Sequence, residues 1–471
     1  MSPEELKLFE ESLAEISEKA REFGLDFYPM RFEICPSDII YTFGAYGMPT
    51  RYSHWSFGKS FHRMKTQYDY NLSKIYELVI NSNPCYAFLL DGNSLIQNKM
   101  VAAHVFAHCD FFKNNQWFRH TSGNMVESMA RSAERLRQYE FTYGKDRVEE
   151  FLDAAMAIQE HIDPRYDIGR KKEEKSDDLS REKKNKDKPS PYDDLWNIGQ
   201  ANFDETGPKI KKFPQEPEKD IVGFIACNAK ELEEWQRDIL FIVRDEMLYF
   251  WPQIETKIMN EGWATLWHSR IMREIDLSVE ETIEYAKMHA GVVQASRMSY
   301  NPYMLGLKIW EDIEKRWNSP AGEDKQKYGR KEGTGREKIF EVRETENDVS
   351  FIRNYLTKEL VEELDLYLFQ KVYTKWQVAE TEWEQVREGF ITLLNNGGNP
   401  YIVVEDGNYR RNGELYLKHC YEGRDLDLYY LEKTLPYVYR LWGKPVNLET
   451  VIEGRGVIYN FSGEKMNKKV L

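Results

Sequence analysis

The sequence predicts an α+β protein: a mainly helical large domain with an N-terminal β-hairpin region over residues 1–375, then a small α+β C-terminal domain over 376–471. Three observations predict it. Apolar residues recur at helical spacing around 3–23, from about 95 to 162 and from about 229 to 317. The run "IYELVINSNPCYAFLLDGN" (75–93) holds two β-rich segments split by Asn-Ser-Asn-Pro, a hairpin signal. After about 335 the pattern becomes mixed, with strand-like "PYIVVED" and "GELYLKHCYEG".

In chain order, "PEELKLFEESLAEISEKAREF" is an acidic amphipathic helix rather than a basic, apolar leader. The next segment, "LDFYPMRFEICPSDIIYTFGAYGMPTRYSHWSFGKSFHRM", is aromatic, punctuated by Pro and Gly, and has no readable period. The hairpin then turns through Asp-Gly-Asn-Ser into the helix "NKMVAAHVFAHCDFF". A mixed-charge tract, "GRKKEEKSDDLSREKKNKDKPSPYDD", lacks the apolar content to order itself, so a disordered or peripheral insert is expected at about 168–217. Pro252 suits the first turn of a further helix, and Ser278 with Glu281 forms a capping box for the next. "NSPAGEDKQKYGRKEGTGREK" predicts an exposed loop at about 318–346, and "YYLEKTLPYVYRLWG" a helix in the tail.

With 65 basic against 79 acidic side chains the net charge is −14, which argues against a general nucleic-acid or anionic-membrane binder. No apolar run approaches the roughly 20 residues that span a bilayer, so a cytoplasmic protein is expected. The five cysteines lack CxxC spacing, which fits reduced thiols and argues against a cysteine zinc site. There is no P-loop and no G-x-G-x-x-G.

Two stretches carry candidate chemistry. His104 and His108 stand one turn apart on a face with Met100, Val101, Val105 and Phe111, so both imidazoles point inward. In "YFWPQIETKIMNEGWATLWHSRIMREI", Ile254, Ile258, Glu261, Thr265, His268 and Met272 share a stripe that turns a carboxylate and a histidine inward as well. Mid-helix Gly262 costs about 1 kcal/mol relative to Ala, which points to close approach of a backbone or ligand. A divalent metal, zinc by donor type, would satisfy these groups with His104, His108 and His268 as ligands and Glu261 as general base; whichever of Glu261 and His268 does not bind metal is the base. The strand-then-helix order gives a zincin-like aspect, but Val105 occupies the position of the glutamate in H-E-x-x-H, which excludes a thermolysin-like base there. The architectural alternative is a hydrogen-bonded histidine pair and a salt-bridged glutamate. His289 is weaker, and "RYSHWSFGKSFHRM", with His54 and His62, is either a substrate rim or core packing.

"LDFYPMRFEICPSDIIYTFGAYGMPTRYSHWSFGKSF", "AHVFAHCDFFKNN", "MNEGWATLWH", "NPYMLGLKIWEDIE" and the tail "GELYLKHCYEGRDLDLYYLEKTLPYVYRLWGKPVNLET" together resemble the stage V sporulation protein R (SpoVR) family over essentially the whole chain. The resemblance implies a bacterial protein of the mother-cell cytoplasm linked to sporulation and spore cortex formation. It also implies a neighbourhood with a serine protein kinase and a von Willebrand-type domain protein. A non-enzymatic assembly or regulatory factor working with that kinase system is therefore the alternative to a metal-dependent hydrolase. The resemblance assigns no catalytic residue.

Overall fold

The computed structural model describes residues 2–165, 212–294, 300–322, 325–326, 329–372 and 375–471. It shows a mixed α+β chain that divides into two compact units: Met1–Thr142 with Tyr249–Asn399, and Tyr143–Leu248 with Pro400–Leu471. The expected insert at about 168–217 lies outside the described residues up to position 211.

The first unit begins with α1 (Pro3–Glu22), closed at its start by a Ser2–Glu5 capping box. The unassigned aromatic segment resolves into β1 (Met30–Cys35), α2 (Ser37–Tyr46) and α3 (Trp55–Asp69). The expected hairpin is β2 (Glu77–Ile80) and β3 (Cys85–Leu90), antiparallel with Val79 opposite Ala87. β1 adds in parallel on the other side of β3, giving the order β1-β3-β2.

From β3 the chain enters α4 (Leu95–Asn114) through a Ser94–Gln97 capping box. A single inward stripe understates this helix, because every residue from Asn98 to Phe112 is buried. Ala102, Ala103 and Ala107 let neighbours approach closely, and α1 packs on it. α5 (Met125–Tyr143) follows.

In the second unit lie α6 (Lys145–Met156) and α7 (Ile221–Asn228). The next helix, α8 (Glu234–Glu255), contains Pro252, which corrects the expectation that Pro252 opens a helix. The break falls at Thr256, whose ψ of 17° leaves the helical region, and α9 (Lys257–Glu274) starts there. A remote carboxylate caps α9: Asp348 accepts from Ile258 N at 2.8 Å and Met259 N at 2.9 Å. Sequence periodicity cannot show such a cap.

α10 (Val279–Val292) opens on the expected Ser278–Glu281 capping box. α11 (Pro302–Asn318) crosses α9 at Gly262 and Gly306, so close that a Cβ at Gly262 would stand 2.3 Å from the Gly306 carbonyl carbon. Gly262 thus serves backbone approach.

Within the exposed loop expected at 318–346, Gly335–Thr345 is instead a helix, α12. Its short apolar face, Ile339 and Val342, is diluted by charge in the sequence yet fully buried. α13 (Asp348–Tyr355), α14 (Lys358–Glu363), the hairpin β4 (Leu368–Val372)/β5 (Lys375–Glu380) and α15 (Trp383–Leu394) complete the unit. The units divide at 399/400 rather than at 375/376, because Val386, Phe390 and Ile391 of α15 join the core of the helical unit.

The other unit holds a five-stranded sheet, order β10-β9-β8-β7-β6, from β6 (Ile402–Tyr409), β7 (Glu414–His419), β8 (Val446–Ile452), β9 (Arg455–Phe461) and β10 (Met466–Val470). Only the β7–β8 pair is parallel, and its crossover is α16 (Leu428–Trp442). A β-bridge between Glu218 and Val404 ties the earlier segment to this sheet. No described helix is long and apolar enough to cross a membrane.

Candidate metal centre

α4 and α9 pack face to face in the helical unit and bring four expected residues into one buried cluster. His104 Nε2 and His108 Nε2 lie 3.6 and 3.5 Å from the same oxygen, Glu261 Oε2. One donor atom from each of these three residues falls within 4.8 Å of the others. Ligands 2.0–2.2 Å from a tetrahedral zinc ion are separated by about 3.3–3.6 Å, the spacing seen here.

His268 stands outside this group. Its Nδ1 is 3.0 Å from His104 Nδ1 and its Nε2 is 3.0 Å from His289 Nδ1, so both ring nitrogens face other histidines. His289 is thereby drawn in as the end of a three-imidazole chain. On the other side, His108 Nδ1 donates to Asn260 Oδ1 at 2.8 Å.

The Asn260 contact fixes one proton. An amide oxygen only accepts, so His108 carries its proton on Nδ1 and turns an Nε2 lone pair toward Glu261. Run from His104 Nδ1–H to His268 Nδ1 and from His268 Nε2–H to His289 Nδ1, the imidazole chain gives His104 the same Nε2 lone pair; run the other way, it puts a proton on His104 Nε2, facing Glu261. Burial, then His104, push His108 down to about 4 against the pull of Glu261. Burial, then His104 and His289, hold His268 well below the usual imidazole range. At neutral pH both rings are uncharged. For Glu261 burial acts upward, but His104 as a hydrogen-bond donor, and then the positive charge of His108 and His104 when they carry it, outweigh burial and leave the carboxyl below its ordinary value. Glu261 Oε2 is buried, with both imidazole nitrogens at the limit of hydrogen-bond reach.

His104 lines a pocket of about 540 Å³. It brings in two groups that sequence reasoning missed, Glu77 and Tyr303. Burial raises the Glu77 carboxyl, with Glu261 adding to the rise and His104 opposing it. Burial, then Glu261 and Glu77, keep the Tyr303 hydroxyl protonated. Glu77 is the charged residue of a strand otherwise written Leu-Val-Ile, a signal that was legible; Tyr303 has none, since it depends on where α11 crosses α9. The "RYSHWSFGKSFHRM" block is absent from the residues lining the pocket. His54 instead caps α3, accepting from Ser56 N at 3.3 Å.

Residues 3–399 match the family model described as SpoVR like protein, and residues 400–453 match the SpoVR-like C-terminal domain. Among curated proteins, the uncharacterized protein YcgB of Escherichia coli (strain K12) is 31% identical over 470 residues, covering 93% of this chain and 90% of that protein. No solved structure matches the chain.

Proposed function

Because the chain belongs to the SpoVR family, a bacterial family with a sporulation-related role, we propose that it serves that role as a metal-dependent hydrolase with zinc held by His104, His108 and Glu261. The observation that carries this reading is convergence: two imidazole Nε2 atoms stand 3.6 and 3.5 Å from one buried carboxylate oxygen, with one donor atom of each residue within 4.8 Å of the others. With both imidazole protons on Nδ1, the three atoms are electron-rich and a cation between them relieves their repulsion in a desolvated site. Three N/O ligands with one open position are the catalytic zinc pattern, and the Nδ1–H partners Asn260 and His268 are the outer hydrogen bonds that orient such ligands.

A divalent ion held there supplies activation of water at neutral pH and polarisation of a carbonyl. With Glu261 as ligand and His268 engaged at both nitrogens, the base is Glu77. It takes a proton from the attacking water and returns it to the leaving nitrogen, so that water adds across the C–N bond of an amide. Tyr303 donates to the carbonyl oxygen as charge develops on it. Action in spore cortex assembly, in the mother-cell cytoplasm, is part of this proposal and is supported by the family resemblance.

Glu77→Gln should retain metal and fold yet lose about 10²–10⁴-fold in hydrolysis, the range of a general base. Supplied in place of the native gene, it should fail to support spore maturation. Wild-type spore yield from Glu77→Gln and from His104→Ala alike would overturn the hydrolase reading.

A further inference from the structure

The pocket lined by His104 also carries groups of different chemistry. Along α4 it is lined by Gln97, Met100, Val101 and His104, spaced i, i+3, i+4 and i+7 as one stripe of the helix. Gln97 and His104 stand seven residues apart, about 10 Å at 1.5 Å per residue. Lys74 Nζ donates to Gln97 Oε1 at 3.1 Å and to Gly92 O at 3.3 Å, and it stands 4.8 Å from the centre of the Tyr76 ring, which also lines the pocket. Burial alone lowers the Lys74 pKa, and no carboxylate pairs with it among the described residues. Lys287 lines the same pocket from α10, and Met100, Val101 and Met288 give it an apolar wall.

A half-buried ammonium held only by neutral groups, two amide oxygens and the Tyr76 ring, is unusual in a chain carrying 14 excess negative charges. We propose that Lys74 and Lys287 hold the anionic end of an elongated substrate, a carboxylate or phosphate, about 10 Å from the bond cleaved at His104, His108 and Glu261. At 3.3–3.6 Å per extended residue this spacing suits two to three residues of a peptide-like chain. The inference rests on the metal reading given above.

The test is calorimetric titration of the zinc-loaded full chain with the monohydroxamates of succinic, adipic and suberic acid, their methyl esters, and a phosphonate-ended suberic analogue. The hydroxamate end chelates metal, and the other end reports the anion site. Suberic monohydroxamate should bind at least about tenfold tighter than its methyl ester, as for a charged hydrogen bond, and the succinic pair should show no such gap. Lys74→Met should abolish the gap and Lys287→Met reduce it, with metal content unchanged, while Lys433→Met in the other unit leaves it intact. A gap carried more strongly by the phosphonate assigns phosphate, and one carried by the acid assigns carboxylate. Lys287 is exposed, so its variant keeps the test decisive if Lys74→Met fails to fold. Acid and ester binding alike at every length, or a gap that survives both lysine variants, would overturn the inference while leaving the metal site standing. A wild-type chain that holds no metal and binds no hydroxamate would overturn the metal reading and the inference with it.

Discussion

Gly262→Ala should cost about 3 kcal/mol of stability, although alanine is the better helix former by about 1 kcal/mol. The added Cβ would meet the backbone of α11 at 2.3 Å from Gly306 C, 2.4 Å from Gly306 Cα and 2.7 Å from Leu307 N, and no side-chain rotation relieves a backbone clash. Gly306→Ala meets the Ile258 carbonyl oxygen at 2.2 Å and should behave alike. The contact also bears on the site, because Gly262 follows Glu261, and Tyr303 shares a face of α11 with Gly306 three residues on. Forcing the helices apart should therefore weaken metal affinity as well as stability. Gly58→Ala is the control: it lies in α3 with nothing within 4 Å of its added Cβ, and should stabilise by up to about 1 kcal/mol. Thermal unfolding of the three variants checks this; equal effects at Gly58 and Gly262 would show that the helices separate without cost.

The second large effect concerns Asp110 on α4, which is 0% exposed. It accepts from Arg343 Nη1 at 2.7 Å, Asp26 N at 2.7 Å and Trp263 Nε1 at 2.9 Å, tying α12, the start of the β1 segment and α9 to the central helix. Burial pushes the Asp110 carboxyl up, and Arg343 opposes that. Arg343→Met leaves a carboxylate buried without its counter-charge and should cost about 3–5 kcal/mol. Adding Asp110→Asn removes the stranded charge, so the double variant should be less destabilised than the sum of the singles. Strict additivity in a denaturation cycle would mean that the pair is not coupled.

The sequence made the site legible through period rather than motif. Helical spacing turned His104, His108, Glu261 and His268 inward on two helices, and the structure packs those two helices together. Spacing also bears on the division of labour. His104 and His108 are four residues apart, about 6 Å of rise, within reach of one ion; Glu261 and His268 are seven apart, about 10 Å, so only one of them can join the pair. Which one depends on the register of α9 against α4, a tertiary quantity that no local pattern encodes. The same limit hid Tyr303, the Asp348 cap and the partner of Arg343. The unassigned segment was opaque for another reason: β1, α2 and α3 follow one another within 40 residues, α2 has only 10 residues, and α3, though 15 long, buries only Phe57 and so has no apolar stripe to count. Turn and cap chemistry needed no tertiary information, and the Asn-Ser-Asn-Pro turn and the Ser278–Glu281 box stand where they were expected.

Elemental analysis tests most directly whether His104, His108 and Glu261 hold a metal ion. The full chain, purified without an affinity metal column, equilibrated with zinc and dialysed, should carry about one equivalent; His104→Ala and His108→Ala should fall below about a tenth, and Glu261→Gln should lose affinity. His120→Ala, outside the cluster, should match the wild type. Less than about a tenth of an equivalent of any transition metal in the wild-type chain, or wild-type content in His104→Ala and Glu261→Gln together, would contradict the account and leave the convergence as architecture.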